Sequence, residues 1–454
     1  MSEFSGQLSD DEPTVRRGDI SIAPPVPRAR LAANSVSRHS WYVSTLLFLI
    51  GAFNLMDRQI LAILLEPIKR DLQLSDTAMG LLTGFAFVAF YTLTSLPIAR
   101  LADSYSRRNI IALALLFWSA MTSLSALATS FMQLALLRVG VGIAESGSGP
   151  AGQSLLADLF PPARRTAAMS MLAIAPPVGV MLAFIIGGML NEQLGWRMTL
   201  ACIGVPGLLL AVLWWLTVKE PSRGASDAAL ADNKRYELSK TVHYLSGLKS
   251  FRGLVLGSSL STFTVMVLIV WSPAYLERVY GIASTQVGLS LGIATGLGGI
   301  AGGLSAGILA QRLMIRDLAW LLRLPAFTSL AAAPLAGAFL LLGESPAALP
   351  IFFAVIFCSA AMLAPVMSAT QLVAKVQMRA VAAALVTLMF NLIGTGLGPF
   401  SVGFVSDMLA PDMGVHALPA AMSLAVVASI GAALAFAMGA RHLRADVVRA
   451  WQHT

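Results

Sequence analysis

Charge is scarce in this chain. Asp, Glu, Lys and Arg make up only 12% of its 454 residues, where a soluble domain carries about 25%. With 57% hydrophobic residues, there is too little polar surface to cover a soluble fold. An ordinary soluble enzyme and a disordered chain are both excluded. Cysteine is almost absent. Cys202 and Cys358 both sit inside apolar stretches without metal-ligating company, so neither a disulfide nor a zinc or haem site is expected. The histidines (His39, His243, His416, His442 and His453) lie near the ends of apolar stretches or in tails, which excludes an interior histidine relay. No aromatic residues interleave with the basic ones, so the net charge of +8 does not mark a nucleic-acid-binding surface. Residues 1–39 lack an apolar core, so they read as a polar tail and not as a signal peptide.

What the chain has instead is apolar length. Its mean hydropathy is +0.75. The apolar runs are about twenty residues long, the length a helix needs to cross a hydrocarbon core of about 30 Å. A membrane β-barrel would alternate over roughly ten residues and is excluded. Spans are expected near 41–65, 77–99, 108–128, 131–158, 166–190, 198–218, 252–276, 284–310, 320–342, 347–374, 380–405 and 416–440. Lys and Arg outside the spans fall almost wholly on one side; only Lys69, Arg70, Arg197 and Arg278 lie on the other. The positive-inside rule then makes both termini cytoplasmic, which requires an even number of spans.

The one long connection, 219–251, is polar and splits the spans six and six. The expected organisation is a disordered cytoplasmic tail (1–40), a six-helix bundle (41–218), a cytoplasmic linker (219–251), a second six-helix bundle (252–440) and a cytoplasmic tail (441–454). The fold class is thus an all-α membrane protein of twelve transmembrane helices in two halves. Two such halves suggest a transporter repeat, with the substrate between them near the midplane.

Ionisable residues inside spans are the strongest functional signal. Asp57 and Arg58 lie mid-span on the first helix, and Arg138 and Glu145 on the fourth. An intramembrane charge costs several kcal/mol (roughly 2.5–3.5 on insertion scales), so it persists only when paired or facing a wet cavity. Seven residues separate Arg138 from Glu145, which puts them on one helix face. Asp57 and Arg58 are neighbours about 100° apart, so one faces the cavity while the other faces a neighbouring helix. The expected pair in the empty site is Arg58 with Glu145. A proton on Glu145 or Asp57 would release it, with Arg58 and Arg138 serving as counter-ions or anion anchors because Arg does not deprotonate. Asn54, Tyr91, Trp271, Tyr275, Gln371 and Asn391 are candidate cavity-lining residues. Gly394, Gly396 and Gly398 before Pro399 mark a bend in a gating helix, and Gly288, Gly292 and Gly296 a face where backbones approach closely.

Ala99-Arg-Leu-Ala-Asp103-Ser-Tyr-Ser-Arg107-Arg108 resembles the loop motif G-x-L-a-D-R-x-G-R-K of the major facilitator superfamily, with Ala99, Ser104 and Ser106 as departures. Gly307-Ile-Leu-Ala-Gln311-Arg312 echoes it in the second half, and Arg138-Val-Gly140-Val-Gly142-Ile-Ala-Glu145 is similar to that superfamily's fourth-helix motif. Further stretches resemble the spinster branch, in particular a bacterial member: Asp57-Arg58-Gln59 with Leu64-Leu-Glu66-Pro67, Leu74-Ser75-Asp76 and Gly80; Gly149-Pro150 with Ser154 to Pro162; and Asn391 to Pro399 ending at Ser406-Asp407.

This resemblance implies a major facilitator fold in a bacterial inner membrane. It implies a cytoplasmic latch in which Asp103, Arg107 and Arg108 hold the outward-facing state, weaker in the second half where Gln311 replaces the acid. It also implies proton-coupled transport of an amphipathic lipid, such as a lysophospholipid or a sphingoid phosphate. The alternatives are drug export, exchange of small organic anions, and passive lipid scrambling. No span carries a nucleophile–base pair or metal cluster, so an enzyme is not expected. Nor is a cofactor, the proton being the coupling ion. The expected partners are the substrate and the bilayer, with no nucleic acid, and the protein is expected to be a monomer.

Overall fold

The computed structural model describes residues 37–221, 238–343 and 345–451. The tail over 1–36 and the linker stretch 222–237 lie outside the described residues. Among the described residues, nine stretches are long and apolar enough to cross a membrane. Two of them, Arg164–Thr217 and Arg379–Ala450, are far longer than one crossing needs, and each turns back at a glycine. Gly195 (φ 76°, ψ 166°) separates the fifth span from the sixth, and Gly414 (φ 57°) separates the eleventh from the twelfth. These left-handed or mirror-region conformations are ones that only glycine takes at no steric cost. The fourth span escapes a length test because it is broken after Glu145 into Phe131–Glu145 and Ser148–Leu159. With it the crossings number twelve, six on either side of the linker.

The remaining crossings are continuous or nearly so. They are Arg38–Ile63, a second span over 76–104, Arg107–Ser125, Lys249–Tyr280, Ser284–Met314, Trp320–Leu341 and a tenth span over 348–373. A surface helix, Leu238–Gly247, precedes the seventh span. The last helix runs on to Trp451, past the apolar stretch that defines its crossing. Leu443 and Asp446 explain this extension: both are buried, and Asp446 accepts bonds from the Ser250 N–H (3.0 Å) and hydroxyl (2.7 Å).

The hydrophobic core is forked. At the end away from the linker, buried side chains of both halves form one continuous cluster, with Ile60, Leu82 and Phe184 of the first half touching the same core as Trp271, Leu291 and Val402 of the second. Towards the linker the core divides. One branch holds Leu47, Leu115 and Trp214, and the other Leu254, Val366 and Phe436. The molecule is thus sealed at its far end and split at its linker end.

Glycine makes the seal tight. The second and eleventh spans each contain a π-helical stretch, Leu81–Phe85 and Phe390–Leu397, and these meet. A Cβ on Gly84 would lie 2.6 Å from the Gly396 carbonyl oxygen, and one on Gly80 would lie 2.5 Å from that of Pro399. The fifth and eighth spans meet in the same way, Gly288 resting on the Phe184 carbonyl and facing Gly188. The periodic glycines of the eighth span are therefore an interface between halves.

Gly288→Leu should wedge this far end apart. Overpacking of a tight contact costs roughly 1–3 kcal/mol, so the sealed state should lose about that much. The check is thiol labelling of a cysteine placed on the far-side surface of the eighth span. Labelling should rise at least about fivefold over the same cysteine in the Gly288 background.

Candidate functional site

The four mid-span charges form one cluster. Arg58 donates to Glu145 Oε2 at 3.1 Å. Its guanidinium carbon lies 4.5 Å from the Phe87 ring centre and 4.8 Å from that of Tyr91, so two second-span aromatic faces support the cation. Gly142 allows this geometry, because a Cβ there would come within 2.8 Å of the Phe87 carbonyl oxygen. Asp57 turns the other way. Both its oxygens lie within reach of the Thr122 hydroxyl, at 2.5 and 2.6 Å, and one accepts its proton. Arg138 stands 4.0 Å from the Asp57 carboxylate and donates to the Asp57 carbonyl oxygen at 3.1 Å.

The neighbours on the first helix thus divide their roles. Asp57 binds the third and fourth spans together, and Arg58 faces inward. Asp57, Arg138 and Glu145 are almost fully buried, while the Arg58 side chain keeps 16% exposure. Glu145 Oε1, Arg58 Nε, and Arg138 Nε and Nη2 are buried without a hydrogen-bond partner. Their polar capacity is held in reserve.

A cavity of about 450 Å³ is lined by residues of the first, fourth and fifth spans. Leu47, Ile50, Met169 and Leu172 give it an apolar wall, and Asn54, Ser148 and Gln153 its polar points. Asn54 lies one turn before Arg58 on the continuous first helix, and Ser148 and Gly149 follow the break after Glu145, so the cavity is lined by near neighbours of both members of the ion pair. Tyr91 meets the cluster through Arg58. Asn391 is partly buried on the π-helical stretch, and Gln371 is exposed near the end of the tenth span.

Trp271 and Tyr275 do not line a cavity, contrary to the expectation from their positions. Both are buried, and both have a polar tip satisfied by backbone. The Trp271 indole donates to the Pro399 carbonyl at 3.0 Å, which ties the seventh span to the eleventh. The Tyr275 hydroxyl donates to the Leu340 carbonyl at 2.8 Å, among Tyr280 and Phe339.

The far-end seal has a polar centre that sequence reasoning missed. Arg278 of the seventh span donates to Glu66 (2.8 Å) and to both Asp76 oxygens (2.7 and 2.8 Å). Lys69 pairs with Asp76 at 2.6 Å, and Ser406 donates to it at 2.7 Å. Asp407 accepts from the backbone N–H groups of Asp76 (3.0 Å) and Thr77 (2.7 Å) and from the Thr77 hydroxyl (2.6 Å). Glu66, Asp76, Ser406 and Asp407 belong to the spinster-like stretches of the sequence. That was the available signal, but it did not say that they meet. Gly394 packs on Thr262 in this region, and Gly396 and Gly398 have ordinary contacts.

At the linker end Arg107 clamps three spans of its own half. It donates to Asp158 at 2.5 Å, to Ser154 at 3.0 Å and to Glu220 at 2.8 Å. Glu220 also accepts from the Ser106 hydroxyl and the Arg108 N–H, each at 2.8 Å. The Asp103 side chain lies outside the described residues, so its part in the expected latch is not described.

The sequence profile of the Major Facilitator Superfamily matches residues 47–399. The chain belongs to this superfamily. An MFS-type efflux pump of Mycolicibacterium smegmatis is 34% identical over 431 residues, which cover 93% of this chain and 98% of the pump. The sphingosine-1-phosphate transporter SPNS2 of Danio rerio is 29% identical over 50% of this chain and 46% of its own length. The structure of a bacterial homologue of the human lysosomal transporter Spinster, inward-facing and unoccupied, superposes with a TM-score of 0.82 at 27% identity, covering 91% of this chain and 99% of that one. This is therefore a spinster-like membrane transporter of the superfamily, and its forked core accords with that inward-facing relative.

Two outcomes follow from the geometry. Thr122→Val removes the hydroxyl that donates to the buried Asp57 carboxylate, so the thermal midpoint in detergent should fall by the equivalent of about 1–3 kcal/mol, with Thr122→Ser close to wild type. At Glu220, partial burial pushes the carboxyl up, but bonds from the Arg108 N–H, Arg107 and Ser106 outweigh it and hold the value below the usual 4.5. A depressed value means that its stabilisation is present at neutral pH and lost as pH falls through the folded-state value. Glu220→Gln should accordingly melt lower than wild type at pH 7, and the gap should close on acidification.

Proposed function

We propose that the protein is a proton-coupled secondary active transporter that moves an amphipathic molecule with an anionic headgroup and an apolar tail by alternating access. The Arg58–Glu145 pair carries this reading. Arg58 is the one cation of the cluster with partial exposure, and Asn54, one turn before it on the first helix, lines a largely apolar cavity. An anionic headgroup would take the place of Glu145 on Arg58, while the apolar wall would receive the tail. A proton arriving at Glu145 Oε1 would find no hydrogen bond to break there, because that oxygen has no partner. Once protonated, Glu145 no longer holds Arg58 by charge. One proton taken up therefore frees one cation for the substrate, which is the exchange that coupling requires. The likeness to a sphingosine-1-phosphate transporter supports a lysophospholipid or sphingoid phosphate as cargo.

A second reading is export of amphipathic drugs. The match to an efflux pump over nearly the full length of both chains favours it. The same site would serve, with Glu145 as the anion facing a cationic drug. Under either reading the positive-inside bias supports an inner-membrane protein with both termini in the cytoplasm.

The test is transport in liposomes under an imposed pH gradient, with a labelled lysophospholipid and an internal pH dye followed together. One pH unit stores about 1.4 kcal/mol per proton, enough for about tenfold accumulation. Wild type should approach that ratio, while Glu145→Gln should equilibrate the lipid and no more. Equal lipid movement without a gradient, unchanged in Glu145→Gln and Asp57→Asn, would sink proton coupling and leave passive scrambling. Gradient-driven movement of a cationic dye but not of the lipid would favour the exporter.

A further inference from the structure

A second cavity, of about 370 Å³, lies outside the transport path, on the lipid-facing side between the third and sixth spans. Its walls are Ala112, Leu113, Leu116, Ala211 and Val212, and Asn109 and Trp215 stand at its linker-side mouth. Leu113, Leu116, Val212 and Trp215 are exposed, so the groove opens sideways into hydrocarbon. From Asn109 to Leu116 the helix rises about 10 Å, a third of a hydrocarbon core of about 30 Å. Arg108 is beside the mouth. Its guanidinium donates to the Trp215 carbonyl at 2.5 Å and its carbon lies 5.9 Å from the Trp215 ring. Its Nε is buried with no partner.

The contrast with Arg107 is instructive. Arg107 is neutralised by Asp158 and Glu220. Arg108 has no carboxylate within ion-pair distance among the described residues; Glu220 takes only its backbone N–H. Lys219, exposed just beyond the end of the sixth span, adds a second positive charge on this side. The third–sixth seam therefore presents an uncompensated guanidinium at headgroup level, an interfacial tryptophan and an apolar slot beneath them.

We propose that this groove binds an anionic glycerophospholipid of the linker-side leaflet, with its phosphate on Arg108 and the upper part of one acyl chain between Leu113, Leu116 and Val212. A neutral lipid would fill the slot equally well but would leave Arg108 without an anion. The proposal does not depend on what the transporter carries.

Trp215 is the probe. The full-length protein is reconstituted in phosphatidylcholine liposomes containing a minor fraction of either brominated phosphatidylglycerol or brominated phosphatidylcholine. The Trp215 contribution is isolated by comparison with Trp215→Phe. Brominated phosphatidylglycerol should quench Trp215 at about fivefold lower content than brominated phosphatidylcholine, the preference that one basic residue near an anionic membrane surface supplies. Arg108→Gln should abolish the preference. Val212→Phe narrows the groove from its exposed side without touching the core, and should weaken quenching by both lipids. Equal quenching of wild type by the two lipids overturns the proposal, as does an undiminished preference in folded Arg108→Gln. If Arg108→Gln does not fold, the wild-type preference together with Val212→Phe decides: a preference that survives Val212→Phe with unaltered quenching refutes a lipid in the groove.

Discussion

Burying charge in hydrocarbon is the constraint on which this architecture depends. Asp57, Arg58, Arg138 and Glu145 would each cost several kcal/mol alone in a bilayer. Together they sum to zero, and the helices that carry them must stay in register for that sum to hold. The first and fourth spans are fixed to each other by Arg58–Glu145 and by Arg138 on the Asp57 backbone. The second span is drawn in through Phe87 and Tyr91, and the third through Thr122. One electrostatic requirement thus organises four helices of the first half. Among the described residues the second half has no such centre, and the residues linking it to the first lie mainly at the far-end seal.

That asymmetry gives the halves different duties. The first half holds the titratable and cationic groups and the cavity next to them. The second half supplies Arg278, Ser406 and Asp407 to the seal, and the indole of Trp271 to hold the bend of the eleventh span. The tight glycine contacts between halves lie on this same sealed side. Glycine suits a surface that must close and part repeatedly, because backbone-to-backbone contact fits closely without interlocking side chains.

Much of this was legible in the sequence, for physical reasons. Apolar length and the distribution of Lys and Arg carry the number of crossings, because the bilayer acts on every residue of a span. The Arg58–Glu145 pair was legible because a helix face is periodic and a buried charge must find its opposite. Thr122 was not legible, since a single threonine in an apolar helix looks like any other. Trp271 and Tyr275 were misplaced because an amphipathic aromatic in a span suits a cavity wall and a backbone-satisfied core equally well. The Arg278 cluster joins residues more than two hundred positions apart, and only the closing of the two halves brings them together.

The bond from Asp407 to the start of the second span has a consequence of its own. Asp407 accepts the first free N–H groups of a helix in the opposite half, so that helix is capped by a residue it must leave when the far end opens. Parting the halves exposes those donors and the carboxylate together, and only water can satisfy them. Opening is therefore a hydration event as much as a mechanical one. Solutes that lower water activity without entering the cleft should therefore disfavour opening, though they touch no binding site.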